Sequence, residues 1–263
     1  MADVTPLVRF FMTSPVTWVR TTDPLAQAQQ CLAARAISAV PVLDETERPV
    51  GVLSRFDLLR VGRMRARTHR GEVLLELPEQ PVARAMHTGI MLVGPSATVA
   101  EAATTLVQHH IHRVYVADGW KLVGVLSTRD VMRTVVAARI ETPLSGLMNS
   151  PVLSVQVNDP ISLATDRLAE AHVRGVVVLE GEWPVGMFTQ TEALEARDMP
   201  SNTPVEEVMS YSMVCLPPST PLFRAAGLAA ATRARRVLVV EHRGLRGILT
   251  GIDFARAVSS SGS

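Results

Sequence analysis

The sequence predicts an α/β protein (an α+β repeat) made of four copies of one unit, each a short strand, a helix, a β-hairpin and a second helix. Three observations predict it. A seven-residue phrase recurs as GVLSRFD at 51–57, GVLSTRD at 124–130, GMFTQTE at 186–192 and GILTGID at 247–253. The leading glycines, Gly51, Gly124, Gly186 and Gly247, are 73, 62 and 61 residues apart, and Met12, Met86, Met148 and Met209 precede them by 39, 38, 38 and 38 residues. The segments between methionine and glycine repeat one hydrophobic pattern. Self-similarity at a fixed period marks stacked units that share a core, and a unit of this size is marginal alone.

In the first unit, TTDPLAQAQQCLAARA reads as a helix with Asp23 or Thr22 as cap and Pro24 at its first position. One offset from each methionine gives Leu25, Val99, Ile161 and Leu222. Three residues on come Ala28, Ala102, Ala164 and Ala225, and seven on come Leu32, Leu106, Leu168 and Ala229. Apolar residues at i, i+3 and i+7 form one buried stripe. The extended runs ISAVPVLD, IHRVYVAD, VRGVVVLE and ARRVLVVE follow, each with a turn such as Asp118-Gly119 or Glu180-Gly181, and a second apolar run enters the phrase. Two such runs around a turn read as a hairpin. LLRV, VMRTVV, ALEA and FARAV close the units as helices.

Composition narrows the function classes. The formal net charge is +1, which argues against a dedicated nucleic-acid binder. Residues 1–139 carry 16 basic and 12 acidic side chains and residues 140–263 carry 10 and 13, and Lys121 is the only lysine. The linker 61–81 holds the extra residues of the first interval and is basic through Arg63, Arg65, Arg67 and Arg70, with Arg60 just before it; we expect a solvated loop or helix extension there. The SSSGS tail, 259–263, has no fold-forming content. No apolar run is long enough to span a membrane, no secretory leader is visible, and Cys31 and Cys215 make no framework, so the expected compartment is the cytoplasm.

The phrase contains Ser54-x-x-Asp57, Ser127-x-x-Asp130, Thr189-x-x-Glu192 and Thr250-x-x-Asp253, each ahead of a helix. One reading is a capping box. The other is a ligand site: a helix N-terminus attracts phosphate, the hydroxyl adds a donor, and the acid offers two oxygens to a vicinal diol such as ribose. His109, His110 and His112 lack further ligands for a metal, and we read them as surface or cleft-edge residues. Trp120 and Trp183 fall at hairpin turns, where partial packing is expected. No catalytic triad, Walker loop or dinucleotide fingerprint appears, and the repeats use the whole chain, so no enzyme is expected.

The openings FMTSPV, AMHTGI, LMNSPV and VMSYSM, the mid-unit AVPVLD and HRVYVAD, and the closing phrase resemble cystathionine β-synthase-type (CBS) domains over residues 4–258. The resemblance implies pairing into two Bateman modules. The first is 4–138, with units at about 4–62 and 78–138; the second is 140–258, with units at about 140–199 and 201–258. It further implies clefts that bind adenine nucleotides (AMP, ADP or ATP), sometimes S-adenosylmethionine or dinucleotides, with the hydroxyl on phosphate and the acid on ribose. Such a protein senses the ligand and signals to a regulated protein, as a homodimer or a single-chain disc. An interaction scaffold with empty clefts is the rival.

Carried onto this chain, the second cleft has Ser127, Asp130 and Arg113, and the fourth has Thr250, Asp253 and Arg236. The first has Ser54 and Asp57 with Ala39 in place of arginine. The third, with Gly175 and Glu192, is expected to be weak or empty. Base-flanking positions are Thr13 and Val16 with Val40, Thr88 and Ile90 with Val114, and Ser212 with Val237.

Overall fold

The computed structural model describes residues 6–66, 73–242 and 244–260. After α1 (Val8–Phe11), the first repeat runs β1 (Val19–Arg20), α2 (Leu25–Ala34), β2 (Ala39–Leu43), β3 (Pro49–Ser54) and α3 (Arg55–Val61). A hairpin of β4 (Arg63–Ala66) and β5 (Val73–Glu76) leads to the second: β6 (His87–Thr88), β7 (Leu92–Val93), α4 (Val99–Gln108), β8 (Arg113–Asp118), β9 (Lys121–Ser127) and α5 (Thr128–Ala137). The third has β10 (Ser154–Gln156), α6 (Ile161–Glu170), β11 (Gly175–Glu180), β12 (Trp183–Thr189) and α7 (Gln190–Glu195). The fourth has β13 (Met213–Leu216), α8 (Leu222–Thr232), β14 (Arg236–Glu241), β15 (Gly244–Thr250) and α9 (Gly251–Ser259). Each repeat is the expected strand, helix, hairpin and helix. The opening strand lies parallel to the first hairpin strand, as in Val19 opposite Val42 and Val155 opposite Val178.

The predicted stripes are buried in all four helices: Leu25, Ala28 and Leu32; Val99, Ala102 and Leu106; Ile161, Ala164 and Leu168; Leu222, Ala225 and Ala229. The chain forms two compact units. One takes the residues up to Thr13, Pro95–Val114 and Val125 onward; the other takes Ser14–Gly94 and Tyr115–Gly124. The second unit holds the sheet β1-β2-β3-β6 under α2 and α3, with a core of Val19, Leu25, Leu32, Val40, Leu53 and Leu58. In the first unit α5 packs on α8 and α9, and α4 packs on α9. There Val177 and Met187 of the third repeat meet Leu238 of the fourth between the two sheets.

The repeats interlock through the residues that spaced them in sequence. Thr13 bridges Val125, Thr88 pairs with Gly51, Asn149 bridges Ile248 and Ser210 bridges Met187. The opening of each repeat therefore lies on the hairpin of its neighbour, first with second and third with fourth. A Cβ on Gly186 would overlap Met209 Sδ, and one on Gly247 would overlap Met148 Sδ. The repeated methionine and glycine thus meet across partner repeats, each glycine leaving room for the other repeat's methionine.

Several expectations change. Helix α2 begins after Pro24, and the Asp23 carboxylate accepts from Arg20 N–H at 2.8 Å, turning back rather than capping. The linker is neither loop nor helix extension: Arg63 pairs with Glu76 and Arg65 with Leu74 in an antiparallel hairpin, and Leu75 and Leu77 pack on the first repeat's core. Gly62 permits this, since a Cβ there would come within 2.9 Å of both leucines. Basic composition obscured the alternation of Val73, Leu75 and Leu77. Arg67 and Arg70 lie outside the described residues. Ser259 ends α9, and its hydroxyl and that of Ser260 donate to the Arg256 carbonyl; the remaining tail residues lie outside the described ones. Trp120 is 64% exposed, with its ring under Arg48 at 5.1 Å. Among the described residues no helix is long and apolar enough to cross a membrane, and no group of His, Cys, Asp and Glu is arranged to hold a metal ion.

Candidate functional site

Each phrase turns from a hairpin strand into a helix, and the turn fixes its side chains. The acid accepts from the backbone N–H of the Ser or Thr three residues earlier: Asp57 from Ser54 at 2.9 Å, Asp130 from Ser127 at 2.7 Å, Glu192 from Thr189 at 2.9 Å and Asp253 from Thr250 at 2.7 Å. In every repeat the hydroxyl donates to that same carboxylate oxygen. The capping reading is therefore realised four times.

The second carboxylate oxygen separates the repeats. Asp130 Oδ1 accepts from Arg133 at 2.6 Å, and Arg133 also donates to the Phe11 carbonyl. Asp253 Oδ1 accepts from Arg256 at 2.8 Å and from Asn149 at 2.9 Å. Asp57 Oδ1 lies 2.8 Å from His87 Nε2, off the hydrogen-bonding direction, and is left without a hydrogen bond. Asp57, Asp130 and Asp253 are buried, at 0%, 6% and 3% exposure, and each is followed three residues on by an arginine. Glu192 is followed by Glu195, so the third repeat departs here too.

The helix starts of the second and fourth repeats meet. A Cβ on Gly251, the first residue of α9, would lie 2.5 Å from the Thr128 hydroxyl at the start of α5. Thr128 N–H donates to the His112 carbonyl at 3.0 Å. The start of α5 thus lies against the His112 carbonyl, and the start of α9 lies against the start of α5. Arg174 Nη1 is 3.2 Å from His112 Nε2, and Arg113, Arg235 and Arg236 are close enough for their charges to act on the ring. His112 is solvent-accessible yet crowded by protein. This crowding, and then the fields of Arg174, Arg113, Arg235 and Arg236, push its pKa down to about 4, so the ring is neutral at pH 7. Burial pushes Arg236 below its usual value, while Glu192 acts in the opposite direction.

Arg113 and Arg236 both lie within electrostatic reach of His112, and Arg236 stands opposite Thr250 across its hairpin. His112, Arg174 and Arg235 were not singled out for this role. They occupy one register position, 26 residues after each methionine, where the first repeat has Ser38. That alignment was the available signal. Val40, Val114 and Val237, the strand positions expected to flank a base, are all fully buried. Strand alternation sends them to the face opposite Arg113 and Arg236, and Val40 lies in the helix-covered core. Ser54 and Asp57 sit with His87 on one unit. Thr13 is exposed at its bridge to Val125, Thr88 is exposed on β6, Val16 and Ile90 are half-buried, and Ser212 is exposed, its N–H donating to the Ser210 hydroxyl.

Comparison with known proteins agrees with the repeat structure. The CBS domain model matches residues 8–63, 82–137, 144–198 and 205–260. The pig protein named 5'-AMP-activated protein kinase subunit gamma-3 is 29% identical over 116 residues, 44% of this chain and 22% of that protein. An uncharacterised 33.4 kDa protein of Thermofilum pendens is 24% identical over 190 residues, 67% of this chain and 60% of that one. The matches thus span less than two thirds of either relative. The structure of Methanocaldococcus jannaschii protein MJ1225, described as a candidate archaeal homolog of g-AMPK, superposes with TM-score 0.75 at 15% identity, covering 95% of this chain and 99% of that one. An uncharacterised conserved protein of Pyrococcus horikoshii gives 0.68 at 19% identity, covering 96% and 99%. With four copies of the domain along most of its length, the chain belongs to the CBS-domain family.

Proposed function

We propose that the protein is a non-catalytic regulatory sensor that binds adenine nucleotides of the AMP, ADP or ATP class and passes a conformational change to a partner protein. Its two Bateman modules are residues 4–138 and 140–258. One observation carries this reading: Arg113, Arg174, Arg235 and Arg236 gather around a neutral His112 where helices α5 and α9 begin. Like charges held together are costly. A polyphosphate relieves that cost with charge-assisted hydrogen bonds to the guanidinium forks. Buried Asp130 and Asp253 flank the cluster as acceptors for ribose hydroxyls. The pig relative's name refers to AMP, and we extend AMP to this chain as part of the proposal.

A thermal-shift panel of AMP, ADP, ATP, S-adenosylmethionine, NAD and cyclic dinucleotides tests it, with Asp130→Ala and Asp253→Ala beside wild type. A ligand at about a hundred times its Kd stabilises by roughly 2.7 kcal/mol, several degrees for this size of chain. The expected result is a shift with one adenine ligand that shrinks in either variant. The scaffold reading has its own support, the four acids closed onto their Ser or Thr hydroxyls. No shift with any ligand favours it.

A further inference from the structure

We propose that the two departures of the third repeat, Gly175 and Glu192, form a receptacle for the Arg236 side chain of the fourth repeat, in which Glu192 competes with an anionic ligand for this arginine. The ligand half of this proposal rests on the nucleotide reading; the receptacle half does not. Gly175 stands where the second and fourth repeats carry Arg113 and Arg236. The space its missing side chain leaves is filled. A Cβ at 175 would lie 3.1 Å from Arg236 Nη2, 3.5 Å from its Cζ and 3.0 Å from Thr189 Cγ2. An arginine at 175 would therefore collide with Arg236, and even alanine is tight.

Gly175 faces Thr189 across the hairpin, and Thr189 holds the Glu192 carboxylate through its N–H at 2.9 Å and its hydroxyl. A fixed negative charge thus borders the notch that receives Arg236. Glu192 favours the charged form of Arg236 against its burial. In the free protein this carboxylate offsets part of the repulsion among Arg113, Arg174, Arg235 and Arg236. When a polyphosphate arrives, Arg236 is shared between the ligand and Glu192. Removing the charge of Glu192 then weakens the free protein and tightens anion binding, two effects of opposite sign from one change.

The test uses the full chain as wild type, Glu192→Gln, Gly175→Ala, Arg236→Ala and the two doubles with Arg236→Ala. Thermal midpoints are read first, then calorimetric titration with inorganic tripolyphosphate. Gly175→Ala and Glu192→Gln are each expected to lower the midpoint by about 2–4 °C with Arg236 present and by clearly less in the Arg236→Ala background, where Gly175→Ala keeps only its contact with Thr189. Glu192→Gln is expected to bind tripolyphosphate roughly three- to ten-fold more tightly. Equal midpoint changes in both backgrounds overturn the receptacle, whatever the wild type binds. Coupled midpoints with unchanged or weaker binding by Glu192→Gln overturn the competition. Coupled midpoints with no tripolyphosphate binding by any protein support the receptacle and count against the nucleotide reading.

Discussion

Asn149 Nδ2 donates to Asp253 Oδ1 at 2.9 Å across 104 residues of sequence. The residue after the opening methionine of the third repeat thereby meets the closing acid of the fourth. His87 stands in the same relation to Asp57, at 2.8 Å. In Asp253 and Asp57 the acid has two duties on two oxygens: Oδ2 caps its own helix, and Oδ1 faces the partner repeat. Asn149→Ala removes the second and spares the first. We expect a loss of about 0.5–1.5 kcal/mol, because Arg256 still pairs with the buried carboxylate. Asn149→Asp sets a second carboxylate against Asp253 and is expected to cost more. Urea unfolding of both variants checks the order; equal losses would place the contribution elsewhere.

Asp130→Ala and Asp130→Asn separate cap from ligand site. Alanine removes the acceptor for Ser127 N–H and is expected to cost about 1 kcal/mol. Asparagine keeps one acceptor oxygen and is expected to cost less. Under the sensor reading both lose most of the nucleotide-dependent thermal shift, because neither presents a carboxylate. A full shift in Asp130→Asn would show that the second cleft does not use this acid.

Gly247→Ala drives a methyl into Met148, and Gly186→Ala drives one into Met209. Each is expected to cost about 1–3 kcal/mol by overpacking. Met148→Ala opens space at the same point, so Gly247→Ala with Met148→Ala is expected to be less damaging than the two single losses added. A double-mutant cycle on urea midpoints measures this, and strict additivity would mean that the contact does not join the repeats.

These contacts show why the fold was legible and the site only partly so. The stripe Leu25, Ala28 and Leu32 and its three counterparts follow from helical period alone, and the hairpins from β-rich runs around turns. Arg113 and Arg236 could be placed because they align within a repeat. Arg174 and Arg235 could not, because their meaning depends on which helix starts converge, and that is set by α5 packing on α8 and α9. The surroundings of Val40 were not legible for a related reason. Strand alternation is visible in sequence, but which face is covered by helices is decided by tertiary packing. The β4–β5 hairpin was hidden by its arginines, since charge said solvent while the leucines alternated.

The pH dependence of anion binding follows from His112. With a pKa of about 4 in the free protein, the ring is neutral at pH 7. Unfolded, it titrates near 6.5. As pH falls through this window the unfolded chain takes a proton that the folded chain refuses, so His112 contributes a falling stability toward acid. A polyphosphate among Arg113, Arg174, Arg235 and Arg236 cancels part of the field that repels the proton and raises the pKa of His112. The complex then binds more protons than the free protein, and by linkage affinity rises as pH drops from about 6.5 toward 4. Calorimetric titration with tripolyphosphate at pH 6, in buffers of different ionisation enthalpy, reads this proton uptake. The terminal phosphate also titrates near pH 6, so His112→Asn is the reference, and the difference between the two proteins is the quantity expected to be positive. A difference of zero would mean that the anion binds away from His112, and a negative one would mean that it relieves none of the field on the ring. Either result would move the polyphosphate off the arginine cluster.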